Sequence, residues 1–133
     1  MGKLKRTGLG VALLAVAIGH AAQAAQIQSA VCDRAPGEPN KATVTVTVAP
    51  SAQGDVINSA NMTGDMIAEF NTQAINVACP AGGAGVYTCT SRKTFGMLRT
   101  VTNVEYSING QQTLNGAHAQ TPFAIRYQGV LCN

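Results

Sequence analysis

Four cysteines limit the folds open to this chain of 133 residues more than any other feature. Cys32 and Cys132 lie towards the two ends of the part that follows an N-terminal apolar segment, whereas Cys79 and Cys89 lie close together in the chain. An even number of cysteines in a small exported domain is typical of a disulfide framework. Two disulfides are therefore expected, and the count alone leaves three pairings open.

The N-terminus has the order of a secretory signal peptide. Three cations within the first six residues precede an uncharged apolar stretch over residues 7–19, and an Ala-x-Ala sequence follows at residues 22–24. Positive charge, a short apolar run and a small-residue cleavage site are the parts of such a signal. The sequence therefore predicts a cleaved signal peptide over residues 1–24 and a single exported domain over residues 25–133.

Export places this domain in the periplasm or outside the cell, at its surface or in the medium, of a bacterium. The apolar stretch of the signal is shorter than the roughly 20 residues that cross a bilayer. Cys32 lies too far beyond residue 24 to be a lipidated cysteine. No integral membrane segment is expected after cleavage.

Removal of the predicted signal changes the charge balance. The signal carries three of the nine lysines and arginines, whereas all six aspartates and glutamates lie after it, which leaves six basic and six acidic residues. Nucleic acids and anionic membrane surfaces are bound through clusters of basic residues. The neutral charge of the exported domain argues against both kinds of partner.

The exported domain has the length of a single domain, and its hydrophobic core is expected to be small. It contains no tryptophan and few other aromatic residues, so its core depends on aliphatic side chains and methionine. A small domain with such a core gains much of its stability from cross-links.

The clearest strand of the chain follows Lys41. Alanine and valine alternate with threonine over residues 42–48, and a period of two with β-branched residues predicts a strand with one buried face. The valine side is expected to face the core. The other side, formed by Thr43, Thr45 and Thr47 and called the threonine face below, is a candidate surface for a neighbouring sheet or an assembly.

Residues 55–74 are expected to hold the helical part of the domain. Their apolar residues roughly follow one helical stripe, Asp55 is placed to cap the first turn, and Gly64 interrupts the middle. One interrupted helix or two short helices fit this pattern. The predicted fold class is α+β and β-rich, with a small antiparallel sheet or sandwich, one interrupted helix and two disulfides.

The segment between Cys79 and Cys89 is expected to be a hairpin with a cysteine on each arm. Its tip is rich in glycine and alanine, which favours a turn. This placement favours a Cys79–Cys89 disulfide and leaves a Cys32–Cys132 disulfide to join the ends of the domain. A tip held by a disulfide loses little entropy on binding. The candidate binding residues of this loop are Pro80, Gly82, Gly83, Gly85 and Tyr87.

A second hairpin is expected at Asn109-Gly110, because both residues tolerate a positive φ. A long β segment over residues 94–108 would lead into it, and residues 111–114 would form the return strand. Residues 122–131 alternate apolar and polar side chains and predict the last strand.

The exported domain offers few groups for catalysis or for binding a metal. His118 is its only histidine and lies in a polar stretch between strands, where an exposed loop histidine is the simplest interpretation. Asp65 and Glu69 would share one helical face as a solvated pair of carboxylates rather than a catalytic pair. No catalytic residue, metal site or cofactor is expected.

No protein family is assigned from the sequence. Fimbrial subunits are similar in their export signal, β-rich domain and disulfide, but a donor-strand pilin needs a free N-terminal extension, and only residues 25–31 precede Cys32. Type IV pilins need a glutamate early in a long apolar helix, which this chain lacks.

The sequence therefore predicts a non-enzymatic exported protein that acts by protein–protein interaction. One version is a binding or inhibitor module that uses the Cys79–Cys89 loop, and the other is a structural subunit of a surface or extracellular assembly. The partner is an unidentified protein or a further copy of the chain. The alternative is a small secreted hydrolase that uses His118.

Overall fold

The structure, a computed structural model, describes residues 23–133, so residues 1–22 of the predicted signal peptide lie outside the described part. The described chain forms strands joined by turns and loops, with one short 3₁₀ turn at Gly83–Gly85. Among these residues no helix is long and apolar enough to span a membrane. The strands are β1 (Ala25–Ala35), β2 (Glu38–Pro50), β3 (Val56–Ala68), β4 (Asn71–Ala78), β5 (Tyr87–Thr94), β6 (Val101–Thr113) and β7 (Thr121–Leu131).

The strands form two antiparallel sheets that enclose one core. Sheet A has the order β1-β2-β5 and sheet B the order β4-β3-β6-β7. The connections at residues 51–55, 79–86 and 114–120 lie at one end, called the upper end. The connections at residues 36–37, 69–70 and 95–100 lie at the other, called the lower end. The prediction of a β-rich fold with two disulfides is confirmed.

The alternation in β2 determines where sheet A meets the core. Val44, Val46 and Val48 are fully buried, whereas the threonines between them are only half-buried on the outer side. Successive side chains of a strand point to opposite faces, so one strand separates the two residue types. The prediction for this strand is confirmed.

The interrupted helix predicted over residues 55–74 is wrong, because this segment forms β3, a tight turn and the start of β4. Met62, Met66 and Ala68 are fully buried and Ala60 is nearly so, which is the period-two pattern of a half-buried strand. A register shift between Ile57 and Ser59 disturbs that pattern at its start. Helix and strand patterns overlap in a segment with so few large apolar residues.

Gly64 interrupts no element but lies inside β3. A Cβ atom there would approach the carbonyl oxygen of Glu105 in β6 to 2.0 Å. The two strands pass this closely only because residue 64 has no side chain.

The hairpin predicted at Asn109-Gly110 is also wrong, because β6 runs without a turn through both residues. Gly110 pairs with Ala60 in β3 and with Phe123 in β7. Gly110 is needed because neighbouring strands approach it closely, and not because it adopts a positive φ. Residues 111–113 therefore continue β6, and the chain turns back only at residues 114–120.

The segment between Cys79 and Cys89 is not a regular hairpin. β4 belongs to sheet B and β5 to sheet A, so this segment carries the chain from one sheet to the other. A single antiparallel bridge pair joins Ala81 in this loop to Tyr87, the first residue of β5.

The two disulfides join the sheets on opposite sides of the sandwich. Cys79 and Cys89 are bonded between the end of β4 and β5, and Cys32 and Cys132 between β1 and the residue that follows β7. This is the pairing that the sequence favoured. Around the second disulfide, the backbone N–H of Asn133 donates to the carbonyl oxygen of Cys32 at 2.9 Å.

Packing of the described chain begins at Ala24, one residue before the predicted start of the exported domain. Ala24 is fully buried, and its backbone N–H donates to Oε1 of the buried Gln112 at 2.7 Å. Its carbonyl oxygen accepts a hydrogen bond from the backbone N–H of Ser51 at 2.8 Å. These bonds attach the chain before β1 to the upper end of the sandwich.

Tyr106 makes the stability of this core depend on pH in the alkaline range. Its side chain is buried in β6, and desolvation raises the pKa of its hydroxyl above the usual value of 10.0. The unfolded chain releases this proton first as the pH rises. The stabilisation is therefore complete below about pH 10 and is lost as the pH rises through the higher pKa of the folded state.

We expect Tyr106→Phe to reduce the loss of stability at alkaline pH. Urea unfolding of both proteins at about pH 8 and at about pH 11 measures the effect, because the difference between them isolates this hydroxyl from the other titrating groups. An equal fall in the free energy of unfolding for both proteins would contradict the assignment.

Candidate functional site

The loop between Cys79 and Cys89 projects from the upper end. Pro80, Gly82, Gly83 and Gly85 are exposed, as a binding loop requires. Tyr87 differs, because it is half-buried against the core and its hydroxyl donates to the carbonyl oxygen of Ile57 at 3.0 Å. Tyr87 therefore holds the loop in place, and its hydroxyl is hydrogen-bonded within the domain.

Backbone hydrogen bonds give this loop a defined shape. The N–H of Gly82 donates to the carbonyl oxygen of Val86 at 2.6 Å, and the N–H of Thr88 donates to that of Pro80 at 3.1 Å. The tip between these bonds carries only glycine and alanine. It presents backbone atoms and methyl groups, so it lacks the large side chains that supply most of the binding energy at interfaces.

The threonine face covers the middle of sheet A. Register places Thr88 and Thr90 of β5 beside Thr47 and Thr45. Ser29 and Thr47 share a hydrogen bond of 2.6 Å between their hydroxyl oxygens. Because β2 is hydrogen-bonded to β1 on one side and to β5 on the other, this candidate surface is a sheet face and not a strand edge.

The edges of both sheets are poorly suited to pairing with another strand. β1 has register shifts after Ile27 and after Arg34, and β7 has one opposite the segment between Tyr106 and Ile108. The Cys79–Cys89 disulfide ties together the upper parts of the two other edge strands, β4 and β5. Bulges and covered edges are the devices by which sandwiches avoid adding strands.

The lower end carries an exposed apolar surface that no local sequence pattern predicts. Phe70 is 98% exposed in the β3–β4 turn, and Met97 and Leu98 are 88% and 94% exposed in the β5–β6 loop. We call these three residues the apolar end. Phe70 is one of the apolar residues in the helical stripe predicted over residues 55–74. The only sequence signal for the other two was a pair of large apolar residues next to Gly96.

Contacts between the turn and the loop hold the apolar end together. Glu69 and Arg99, the neighbours of Phe70 and Leu98, form an ion pair with 3.6 Å between carboxylate oxygen and guanidinium nitrogen. Nε2 of Gln73 donates to the carbonyl oxygen of Thr94 at 2.7 Å. A cavity of about 380 Å³ between β4 and the loop is lined by Gln73, Thr94 and Arg99 among others.

Phe95 anchors the β5–β6 loop to the core. Its ring is buried, its backbone N–H donates to the carbonyl oxygen of Asn40 at 2.8 Å, and Nδ2 of Asn40 donates back to its carbonyl oxygen at 2.9 Å. Met97 and Leu98 therefore follow a fixed point of the chain. Their exposure is a property of an anchored loop.

The chemistry of the apolar end is that of a contact surface. Full burial of a phenylalanine, methionine or leucine side chain contributes about 1.5–3 kcal/mol. Monomeric proteins rarely expose large apolar side chains together unless they bind something there. Two ion pairs lie nearby, because Nζ of Lys41 is 2.8 Å from a carboxylate oxygen of Glu38 and Glu69 is paired with Arg99.

The residues considered for catalysis do not come together. His118 is exposed in the loop at residues 114–120 and forms no hydrogen bond or ion pair with any residue of 23–133. Asp65 lies in β3 opposite Glu105, whereas Glu69 follows β3, so the shared helical face expected for Asp65 and Glu69 does not exist. Within the same range, no group of His, Cys, Asp and Glu side chains is placed to hold a metal ion.

The strand order can be compared with that of immunoglobulin-type sandwiches. If strands β1 to β7 are lettered A to G, one sheet contains strands A, B and E and the other contains strands D, C, F and G. The constant-type immunoglobulin fold has the sheets ABED and CFG, so here the fourth strand lies in the sheet of the third instead. The disulfides join other strands than the B–F pair of antibody domains. Comparison of the chain with protein families, curated proteins and solved structures finds no match.

Proposed function

We propose that this chain is a non-enzymatic exported protein of a bacterium that acts outside the cytoplasm by binding another protein through the apolar end. The observation that carries the proposal is the nearly complete exposure of Phe70, Met97 and Leu98 on two segments joined by the Glu69–Arg99 ion pair. Two disulfides and the export signal in the sequence are compatible with a periplasmic, surface or extracellular location.

A binding module is favoured over a structural subunit. A subunit that assembles by strand addition needs a free and regular edge strand. The bulges of β1 and β7 and the disulfide between β4 and β5 argue against that mode of assembly. The apolar end also offers large side chains, which the glycine-rich loop at the upper end lacks.

Photo-crosslinking in the organism that makes the protein tests this proposal. We expect Phe70→p-benzoylphenylalanine to give a covalent adduct of one defined mass after irradiation, because the new side chain is aromatic and occupies an exposed position. Combining it with Met97→Ser and Leu98→Ser is expected to weaken the adduct by about tenfold or more, since two apolar contacts are lost. The melting temperature should stay nearly unchanged, because exposed side chains contribute little to stability.

Two control positions locate the contact. The same photo-reactive residue at Ala117, exposed at the upper end, should give no adduct. The second control places the photo-reactive residue at Ala81. An adduct at Ala81 but not at Phe70 would indicate that the Cys79–Cys89 loop, and not the apolar end, binds the partner. An adduct with the mass of two copies of this chain would favour the structural subunit, and the absence of adducts at all three positions would overturn the proposal.

A further inference from the structure

The outer face of sheet B carries a groove that the proposed protein-binding role does not use. Its volume is about 550 Å³, and it runs over β3, β6 and the first half of β7. Its polar side chains are hydroxyls and amides with one cation: Ser59, Asn61, Asn109, Gln111 and Arg126. Pro122, Phe123 and Ala124 of β7 form the apolar part of its lining.

Three of these side chains have unused hydrogen-bonding groups. Those of Asn109, Gln111 and Arg126 form no hydrogen bond or ion pair with any described residue. Asn61 is held in place, because its Nδ2 donates to Oδ1 of Asn76 at 3.1 Å. An amide both donates and accepts, so this group of side chains matches ligands whose own groups do both.

Tyr127 lies next to Arg126 in an unusual backbone conformation. It has a φ of 58°, is 88% exposed, and its backbone N–H donates to Oγ of Ser107 at 3.2 Å within the bulge of β7. A positive φ in a bulky residue is strained, and such residues cluster at functional sites. Tyr127 lines a second, smaller cavity of about 270 Å³ with Glu105 and Gly129, so the two cavities follow each other along β7.

We infer that this surface binds a neutral carbohydrate chain. Sugar hydroxyls donate and accept like the amides of Asn109 and Gln111, and an exposed tyrosine ring offers an apolar face with a polar tip to a sugar ring. The charges along the two cavities are Arg126 and Glu105, one of each sign, which favours a ligand without net charge. The bulge at Tyr127 disrupts the edge of β7, so the surface is unsuited to an extended peptide that pairs as a strand.

Affinity electrophoresis of the disulfide-bonded domain in gels that contain dextran, xylan, mannan or a mixed-linkage β-glucan tests this inference. We expect at least one of these neutral polysaccharides to retard the protein. Tyr127→Gly should weaken that binding by about tenfold, because the ring is lost. Its melting temperature should be equal or higher, because glycine relieves the positive φ.

Further variants separate binding from folding. Asn109→Ala should also weaken retardation, whereas Gln53→Ala, an exposed amide at the upper end, should leave it unchanged. Retardation by none of the four polysaccharides, or equal retardation of Tyr127→Gly and the parent protein, would overturn the inference. Neither result bears on the apolar end, whose crosslinking test uses other residues.

Discussion

Replacing Gly110 by alanine is expected to destabilise the domain by about 4 kcal/mol or more, a large part of the 5–15 kcal/mol typical of a domain. A Cβ atom at this position would lie 1.9 Å from the carbonyl oxygen of Ser59 and 2.7 Å from the ring of Phe123. The first of these is a backbone atom, so β3 and β6 would have to separate where they pair. Loss of that pairing disturbs the centre of sheet B.

Urea unfolding of the disulfide-bonded protein measures this effect, with Gly83→Ala as the matched control. Gly83 has no atom within 4 Å of the position that its Cβ would take, so this variant is expected to change the free energy of unfolding by no more than about 0.5 kcal/mol. If Gly110→Ala does not fold, the yield of folded protein relative to Gly83→Ala serves as the readout. Equal stability of the two variants would show that the strands are not this close.

Removal of the Cys32–Cys132 disulfide is the second change with a large expected effect. The two residues are 100 positions apart, so the bond restricts nearly the whole unfolded domain and contributes about 4–5 kcal/mol on the chain-entropy estimate. It also holds β1 beside the end of β7. We expect Cys32→Ala with Cys132→Ala to lower the free energy of unfolding by this amount.

The Cys79–Cys89 disulfide is the matched comparison. Its residues are 10 positions apart, so Cys79→Ala with Cys89→Ala is expected to cost about 3 kcal/mol. All four cysteines are buried, so both double variants lose similar packing and their difference reflects mainly the length of the closed loop. A larger loss for the short loop would mean that native packing around Cys79 and Cys89 outweighs chain entropy.

The local sequence pattern was sufficient to predict the structure where one residue type alternates strictly with another. The valines of β2 are buried and the threonines are only half-buried, because a strand packed against a core turns its apolar side inwards. The two disulfides were likewise accessible from sequence, since an even number of cysteines and the short spacing of Cys79 and Cys89 favoured the pairing found.

Local pattern misled where tertiary contacts override it. Asn109-Gly110 is the strongest short-range hairpin signal of the chain, yet the missing side chain of Gly110 is needed for close packing against Ser59 and Phe123. The spacing of apolar residues over 55–74 predicts a helix for the segment that contains Met62 and Met66. Pairing with β4 and β6 on both sides satisfies its backbone as a strand instead.

By itself, the sequence predicted an export signal and determined the cross-links and the faces of β2, because each depends on composition or on neighbours along one strand. Only the tertiary structure decided where large apolar side chains are exposed. Phe70 and Leu98 are distant in sequence, and they reach one end of the sandwich because β3 and β5 both finish there. Side chains that no local pattern groups together become one surface through long-range strand pairing.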